Sequence, residues 1–185
     1  NYGHLQPGPG GAAFLIADQI ANHGSISAPG GSIGLAAGRD VLLSERPDGR
    51  GLSAAVTLPS GAIDQSGRLT ADAGQIALQA RVVNQSGLIQ ATGARQRDGI
   101  IELVASDHVH LAASSELRAD AGTDPAAGPG NRGNGGRITV RSDRAWSDTP
   151  GSTLSAKGAN GGSIALSAPA LPAIRPRIDP SPTAP

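Results

Sequence analysis

The chain has no cysteine, no methionine and only three aromatic residues among its 185 residues. Without cysteine, neither a disulfide framework nor a cysteine-ligated metal site can form. With Tyr2, Phe14 and Trp146 as its only aromatic side chains, the chain is not expected to build a helical bundle or an aromatic-rich globular core. The missing start methionine leads us to expect a piece of a longer protein.

The chain also lacks an excess of charge of either sign and lacks long apolar runs. Fifteen basic and fifteen acidic side chains cancel, so no electrostatic argument favours a nucleic-acid or anionic-membrane partner. No apolar run approaches the roughly 18 residues of a membrane helix, and no signal peptide is visible at Asn1. We therefore predict neither nucleic-acid binding nor membrane insertion, and the missing signal says nothing about secretion of a fragment.

Glycine is abundant, with 27 residues, and it recurs in a fixed context. The segment "NHGSISAPGGSIGLAAG" at 22–38 places a double glycine between two runs in which apolar and polar residues alternate. A phosphate-binding glycine loop occurs once and leads into a helix, whereas this pattern occurs five times. Alternation of period two predicts two short strands per copy. The apolar pairs of the first strand are Ile26 and Ala28, Leu69 and Ala71, Ile89 and Ala91, Leu117 and Ala119, and Leu154 and Ala156.

The second strand follows the glycine turn. Its inward positions are predicted to be Ile33, Leu35 and Ala37; Ile76, Leu78 and Ala80; Ile101, Leu103 and Ala105; Ile138, Val140 and Ser142; and Ile164, Leu166 and Ala168. A degenerate sixth copy has Ala13, Leu15 and Ala17. A third strand is predicted from two further alternating pairs, Val41 with Leu43 and Val109 with Leu111. Asn22, Asp64 and Asn84 are assigned to related corner positions.

Three short strands per repeat of roughly 20 residues predict an all-β, right-handed parallel β-helix of the pectin-lyase-like type with about five to six rungs. Residues 1–168 form the predicted β-helix, and the proline-rich 169–185 are predicted to be a strandless tail or linker. The segments 44–63 and 122–136 are predicted to be insertions that form loops or small excursions, with 54–58 as a candidate strand of its own. Leucine-rich, hexapeptide and calcium-binding nonapeptide repeats fit the spacing less well.

The residues just aligned, above all "AAFLIADQIANHGSISAPGGSIGLAAGRDVLLSE" at 12–45, resemble the haemagglutination-activity region and following repeats of filamentous haemagglutinin-like proteins, over roughly 8–168. This resemblance implies an exoprotein of a bacterial two-partner secretion system, exported through an outer-membrane transporter barrel. It implies a secreted or cell-surface adhesin that binds a receptor or glycan of a host or neighbouring cell. The Asn-Pro-Asn motifs of the family's secretion domain are absent from this sequence.

Two groups of residues are candidates for chemistry. His108 and His110 flank an inward Val109, so they are expected to project outward about 7 Å apart beside Asp107. They form either half of a transition-metal site or two solvated histidines, and the second interpretation is favoured. An outward Glu102 with Asp98, Asp72 or Asp120 is the pair that a carbohydrate-active β-helix enzyme would use; this enzyme is the alternative function. Most carboxylates fall in turn contexts, where they bond nearby backbone.

Two further features are interpreted as structural. Trp146 is expected to pack in or cap the column of apolar residues, with sugar stacking on the surface as the alternative. The cluster Arg132, Arg137, Arg141 and Arg144 is interpreted as a solvated face. We predict no enzyme activity, no catalytic residue, no cofactor and no metal ion, and expect a scaffold that displays 44–63 and 120–136 for cell adhesion.

Overall fold

The computed structural model describes residues 1–45, 52–93, 98–122 and 133–183, and every regular element in these ranges is a β-strand. The chain is therefore all-β over the described ranges, as predicted. The strands are β1 (His4–Leu5), β2 (Ala12–Ala17), β3 (Gln19–Asn22), β4 (Ser25–Ser27), β5 (Ser32–Ala37), β6 (Arg39–Glu45), β7 (Leu52–Leu58), β8 (Ala62–Gln65), β9 (Arg68–Thr70), β10 (Gln75–Gln85), β11 (Leu88–Gln90), β12 (Ile100–Leu111), β13 (Glu116–Arg118), β14 (Arg137–Ser142), β15 (Ala145–Asp148), β16 (Thr153–Ser155), β17 (Ser163–Ser167) and β18 (Arg177–Asp179).

The first sheet contains seven parallel strands, one from each successive repeat. Its order is β1-β4-β9-β11-β13-β16-β18, so every strand pairs with its counterpart one repeat away. The predicted first-strand positions form one continuous column, and Leu5 and Ile178 extend that column at its two ends. In register order it reads Leu5, Ile26, Leu69, Ile89, Leu117, Leu154 and Ile178.

The second sheet stacks the predicted second strands in the order β17-β14-β12-β10-β5-β2, again all parallel. Ile33, Ile76 and Ile101 lie in one column, and Leu35, Leu78 and Leu103 lie in the next. The degenerate first copy joins in register, with Ala13 opposite Ile33. The predicted register of the second strand is confirmed over six strands.

A side arm of the second sheet is formed by β3, β8, β15 and the second halves of β10 and β12. Val109 and Leu111 lie there and are fully buried, as predicted. Val41 and Leu43 do not, and that part of the prediction is wrong. Ile20 and Ile63 occupy the equivalent column instead, because the third strand of that repeat is β8, which follows the insertion.

Val41 and Leu43 belong to a hairpin that leaves the stack. Strands β6 and β7 pair only with each other, in antiparallel orientation. The strand predicted at 54–58 is confirmed within β7. Of the two forms predicted for the insertion 44–63, the described part has the small excursion, built as a strand pair. The hairpin therefore adds an outer layer to the parallel sheets.

The corners between strands bring successive backbones very close. A Cβ on Gly74 would lie 2.1 Å from the Gly31 carbonyl oxygen, and one on Gly136 would lie 2.1 Å from the Gly99 oxygen. Only a residue without a side chain fits this approach. The repeated glycine thus serves the stacking of the strands, as its recurrence predicted.

The third corner encloses a run of buried amides. Asn22 is in register with Gln65, and Gln65 with Gln85, so the predicted equivalence of Asn22 with Asp64 and Asn84 is off by one residue. Asn22 Nδ2 donates to Gln65 Oε1 at 2.7 Å, and Gln65 Nε2 donates to the Gly67 carbonyl at 3.0 Å. Leu111 takes this position in the next repeat, so the amide run ends at Gln85.

The C-terminal segment continues the stack. Strand β18 pairs with β16 and brings Ile178 opposite Leu154. The expectation that 169–185 has no strand is therefore wrong. Leu171 also packs against the core, so part of the proline-rich segment covers the last repeat.

Candidate functional site

The hairpin carries the most prominent apolar surface among the described residues. Leu42 is 64% exposed, Leu58 57% and Leu43 45%. Ile16, on the outer face of β2, is 45% exposed and is in register with Ala36, which the hairpin region covers. Apolar side chains grouped on a surface in this way mark interaction sites more often than single exposed leucines do.

The hairpin is held against the second sheet through β7. Its Ala54 is buried, and the outward Ala36 of β5 is buried as well. The Val56 backbone N–H donates to Gln79 Oε1 of β10 at 3.0 Å. Leu42 lies opposite Ala55 on the face that points away from Val41 and Val56. One face of the hairpin is thus anchored through Ala54 and Val56. Leu42 lies on the opposite face, whereas Leu43 and Leu58 lie on the anchored face and remain exposed there.

A groove of about 260 Å³ runs along the outer face of the first sheet. Glu116, Asp120 and Asp179 line it together with Arg118 and Lys157. Glu116 forms an ion pair with Arg118, and Asp179 forms one with Lys157 at 2.8 Å. Glu116 and Asp120 are four residues apart on one extended segment, about 13 Å at the usual rise. Glu116 and Asp120 therefore do not converge on one point.

Asp179 in this groove has a lowered pKa. Its hydrogen bonds from Lys157 and Ser181 favour the charged form and lower its pKa from 3.8 to about 2. A carboxyl group that stays ionised down to this pH is unsuited to act as a general acid near neutral pH.

The carboxylates predicted for an enzyme are distributed over different parts of the fold. Glu102 lies on the outer face of the second sheet and accepts a hydrogen bond from Gln75 Nε2 at 3.2 Å. Asp72 accepts from the Thr92 backbone N–H at 3.0 Å, and Asp120 accepts from the Lys157 backbone N–H at 2.7 Å. Asp72 and Asp120 each tie a corner to the next repeat, as the turn contexts predicted. The structure does not bring them to Glu102.

The turn contexts of Asp72 and Asp120 predicted bonding to nearby backbone, but not which backbone groups the two carboxylates bond. Both follow a strand of the first sheet by two residues, and both cap a backbone N–H one repeat further along. Gln90 Nε2 and Ser155 Oγ add side-chain bonds to them at 3.1 and 2.5 Å. The shared "ADAG" sequence at 71–74 and 119–122 was the available signal.

His108 and His110 project outward from β12, as predicted, and both are half-buried. Asp107 does not join them, because it forms an ion pair with Arg81 at 2.6 Å. Ser147 contacts both rings instead. Within the described ranges, no three His, Asp or Glu side chains cluster closely enough to hold a metal ion.

Trp146 packs into the core, as predicted. It is 5% exposed and lies opposite Val109. Its Nε1 donates to Asp148 Oδ2 at 3.4 Å, and Asp148 also accepts from the Arg175 backbone N–H at 2.8 Å. The buried ring is unavailable for stacking on a sugar at the surface.

The predicted basic cluster is a solvated face over the part that is described. Arg137, Arg141 and Arg144 are exposed, and Arg141 forms an ion pair with Asp143 at 2.8 Å. Arg132 and most of the insertion 122–136, where a displayed surface is predicted, lie outside the described residues.

Comparison with known proteins adds no assignment to this geometry. No family model matches the chain, and no curated protein matches its sequence. The described residues include no helix long and apolar enough to cross a membrane. The functional argument therefore depends on the chain's own residues.

Proposed function

We propose that the chain is a right-handed parallel β-helical segment of a filamentous haemagglutinin-like adhesin, an exoprotein of a two-partner secretion system. The parallel register of successive repeats in both sheets supports the β-helical part of this proposal. The resemblance of 12–45 to the haemagglutination-activity region supports the family. In this proposal the parent protein passes through an outer-membrane transporter barrel and acts at the bacterial cell surface or after release.

The mechanism we propose is display without catalysis. The stacked repeats form a stiff support, and the hairpin of β6 and β7 projects from it with Leu42, Leu43 and Leu58 exposed. This anchored apolar hairpin is the observation that carries the proposal. Leucine-rich contact surface is suited to the apolar centre of a protein–protein interface, so a protein receptor on a host or neighbouring cell fits it better than a glycan.

Cell binding by hairpin variants tests the adhesive function. The variant Leu42→Ser/Leu58→Ser should lower binding of the labelled chain to erythrocytes or epithelial cells by roughly tenfold or more, because each buried leucine contributes about 1.5–3 kcal/mol to an interface. Ile174→Ser is the matched control, since Ile174 is 50% exposed outside the hairpin. Equal binding by both variants and the unchanged chain would exclude the hairpin as the adhesive surface.

The proposal also treats the chain as lacking polysaccharide-cleaving activity. Its support is that the groove carboxylates are engaged in ion pairs and corner hydrogen bonds. Incubation with polygalacturonate and related polymers should release neither new reducing ends nor unsaturated sugars. Release of such products, abolished by Asp120→Asn, would establish the carbohydrate-active alternative.

A further inference from the structure

The outer strand of the hairpin has one edge that no other described strand pairs with. Strand β6 pairs with β7 alone, and every residue of β6 except Val41 is exposed. The Val56 backbone N–H donates to Gln79 Oε1, so Val56 and the opposed Val41 are not a hydrogen-bonded pair of the hairpin. Because such pairs alternate along an antiparallel ladder, Val41 and Leu43 direct their backbone N–H and C=O groups away from β7. These open groups can pair with a further strand.

The sequence of β6, RDVLLSE at 39–45, is complementary to itself in antiparallel orientation. Two copies related by a two-fold axis at Leu42 place Arg39 of each opposite Glu45 of the other. The same register places Val41 opposite Leu43, the two residues with open backbone groups. Neither Arg39 nor Glu45 forms an ion pair with another described residue. Opposite charges at cross-strand positions stabilise a pair of strands, and like charges destabilise it.

The centre of β6 carries none of the features that prevent edge pairing. Proteins protect an exposed edge with proline, with charged side chains or with a bulge, and the segment 41–44 has no proline or charge. Asp40 has a φ of 56°, so the regular extended backbone starts after it. We therefore expect backbone pairing over 41–43, with Arg39 and Glu45 in contact through their long side chains.

We propose that β6 is a self-association edge, at which two copies of the chain pair through antiparallel β6 strands in register about Leu42. The interface is isologous, so association ends at a dimer. One strand pair buries less surface than the roughly 1,200 Å² of a stable interface, so the dimer should form only as the concentration rises. The inference does not depend on the adhesive role of the hairpin, because edge pairing leaves both hairpin faces uncovered.

Sedimentation velocity of the whole chain over a concentration series tests the charge pairs. Arg39→Glu and Glu45→Arg should each raise the dissociation constant of the dimer roughly tenfold or more, because like charges then meet at both ends of the strand pair. An equimolar mixture of the two variants should dimerise again, since opposite charges meet at both ends. Arg137→Glu is the matched control, exposed outside the hairpin, and should leave dimerisation unchanged.

A single introduced cysteine tests the register, because the chain has no cysteine of its own. Leu42→Cys should form a disulfide between copies under mild oxidation. Directly opposed residues that are not hydrogen-bonded to each other have Cα atoms about 4.5 Å apart, within the range of a disulfide. Ser44→Cys is the control and should stay reduced, since the two Ser44 Cα atoms would lie roughly 14 Å apart.

A chain that sediments as a monomer at every concentration would overturn the proposal, as would a dimer that persists in both single charge variants. Equal disulfide formation by Leu42→Cys and Ser44→Cys would contradict the register. These measurements involve no cells, so their failure leaves the proposed adhesive function to its own test. Loss of cell binding in Leu42→Ser/Leu58→Ser likewise concerns that function and not the dimer.

Discussion

At the scale of single residues, the corner before each second strand shows how one backbone position is reused. Gly10, Gly30 and Gly161 adopt left-handed conformations there, with φ of 73°, 68° and 74°. Ala73 occupies the same position with φ of 58°. An alanine in this region is strained by its Cβ, whereas glycine is not. The stack therefore imposes its corner geometry on a residue that disfavours it.

Replacing Ala73 with glycine should stabilise the protein. The left-handed strain of about 1–2 kcal/mol is relieved, and the greater freedom of glycine in the unfolded chain offsets part of that gain. We expect a net increase of about 1 kcal/mol in the free energy of unfolding, measured by urea denaturation. Gly30→Ala is the reciprocal control, because nothing lies closer than 4.0 Å to a Cβ there, and it should destabilise by a similar amount. A destabilised Ala73→Gly variant would contradict the strain argument.

At the scale of strands, alternation predicted which residues share a face of a strand but not which sheet that strand joins. Val109 and Val41 have the same local pattern, yet Val109 is buried in the side arm and Val41 lies in the hairpin. The difference arises because Ile63, beyond the insertion, fills the column that Val41 would occupy. A competition between distant segments for one position leaves no signal in either segment alone.

The surroundings of His108 and His110 were predictable to a similar extent. The outward direction of His108 and His110 follows from Val109, since neighbours on a strand face opposite sides. Their shared partner Ser147 lies 37 residues after His110, so only the three-dimensional register could reveal it. The exposed hairpin leucines were hidden for the same reason, because their alternation is also that of a buried strand.

The last strand contributes stability that depends on pH. Because the pKa of Asp179 is lowered from 3.8 to about 2 in the folded chain, its ion pair with Lys157 stabilises the fold above about pH 4. That contribution declines as the pH falls from about 4 through 2 and is lost only below the folded pKa. Asp179→Asn should therefore melt at a lower temperature than the unchanged chain at pH 6, and the difference should shrink toward pH 2 and vanish near pH ~1. In a Lys157→Met background, the effect of Asp179→Asn at pH 6 should be smaller. A difference that stays as large at the acid end as at pH 6 would refute the assignment.

At the scale of the whole molecule, seven strands of the first sheet at about 4.8 Å spacing give a stack roughly 29 Å long. Each repeat packs mainly against its two neighbours. The apolar columns that adjacent repeats share therefore couple the stability of one repeat to that of the next. The sequence predicted this architecture well, since the repeat length and the inward positions are local properties. The sequence predicted the two ends of the first sheet less well. Leu5 and Ile178 extend its apolar column there, although the segments around them lack the full repeat pattern.

A cavity in a central repeat tests this coupling. Leu103 is fully buried, and Leu103→Ala should lower the free energy of unfolding by about 2–5 kcal/mol. Trp146, the single tryptophan, lies in the neighbouring repeat, and its fluorescence follows the unfolding of that repeat. We expect fluorescence and far-UV circular dichroism to shift by the same amount. A fluorescence transition that stays unchanged while the dichroism shifts would show that the repeats unfold independently.

The hairpin leaves the stack and returns to it without displacing the repeats on either side. Ile33 still lies opposite Ile76, and Ile20 opposite Ile63, across the whole excursion. The point between β5 and β8 is consequently a place where the stack accommodates an added segment while the pairing of the repeats on either side stays in register.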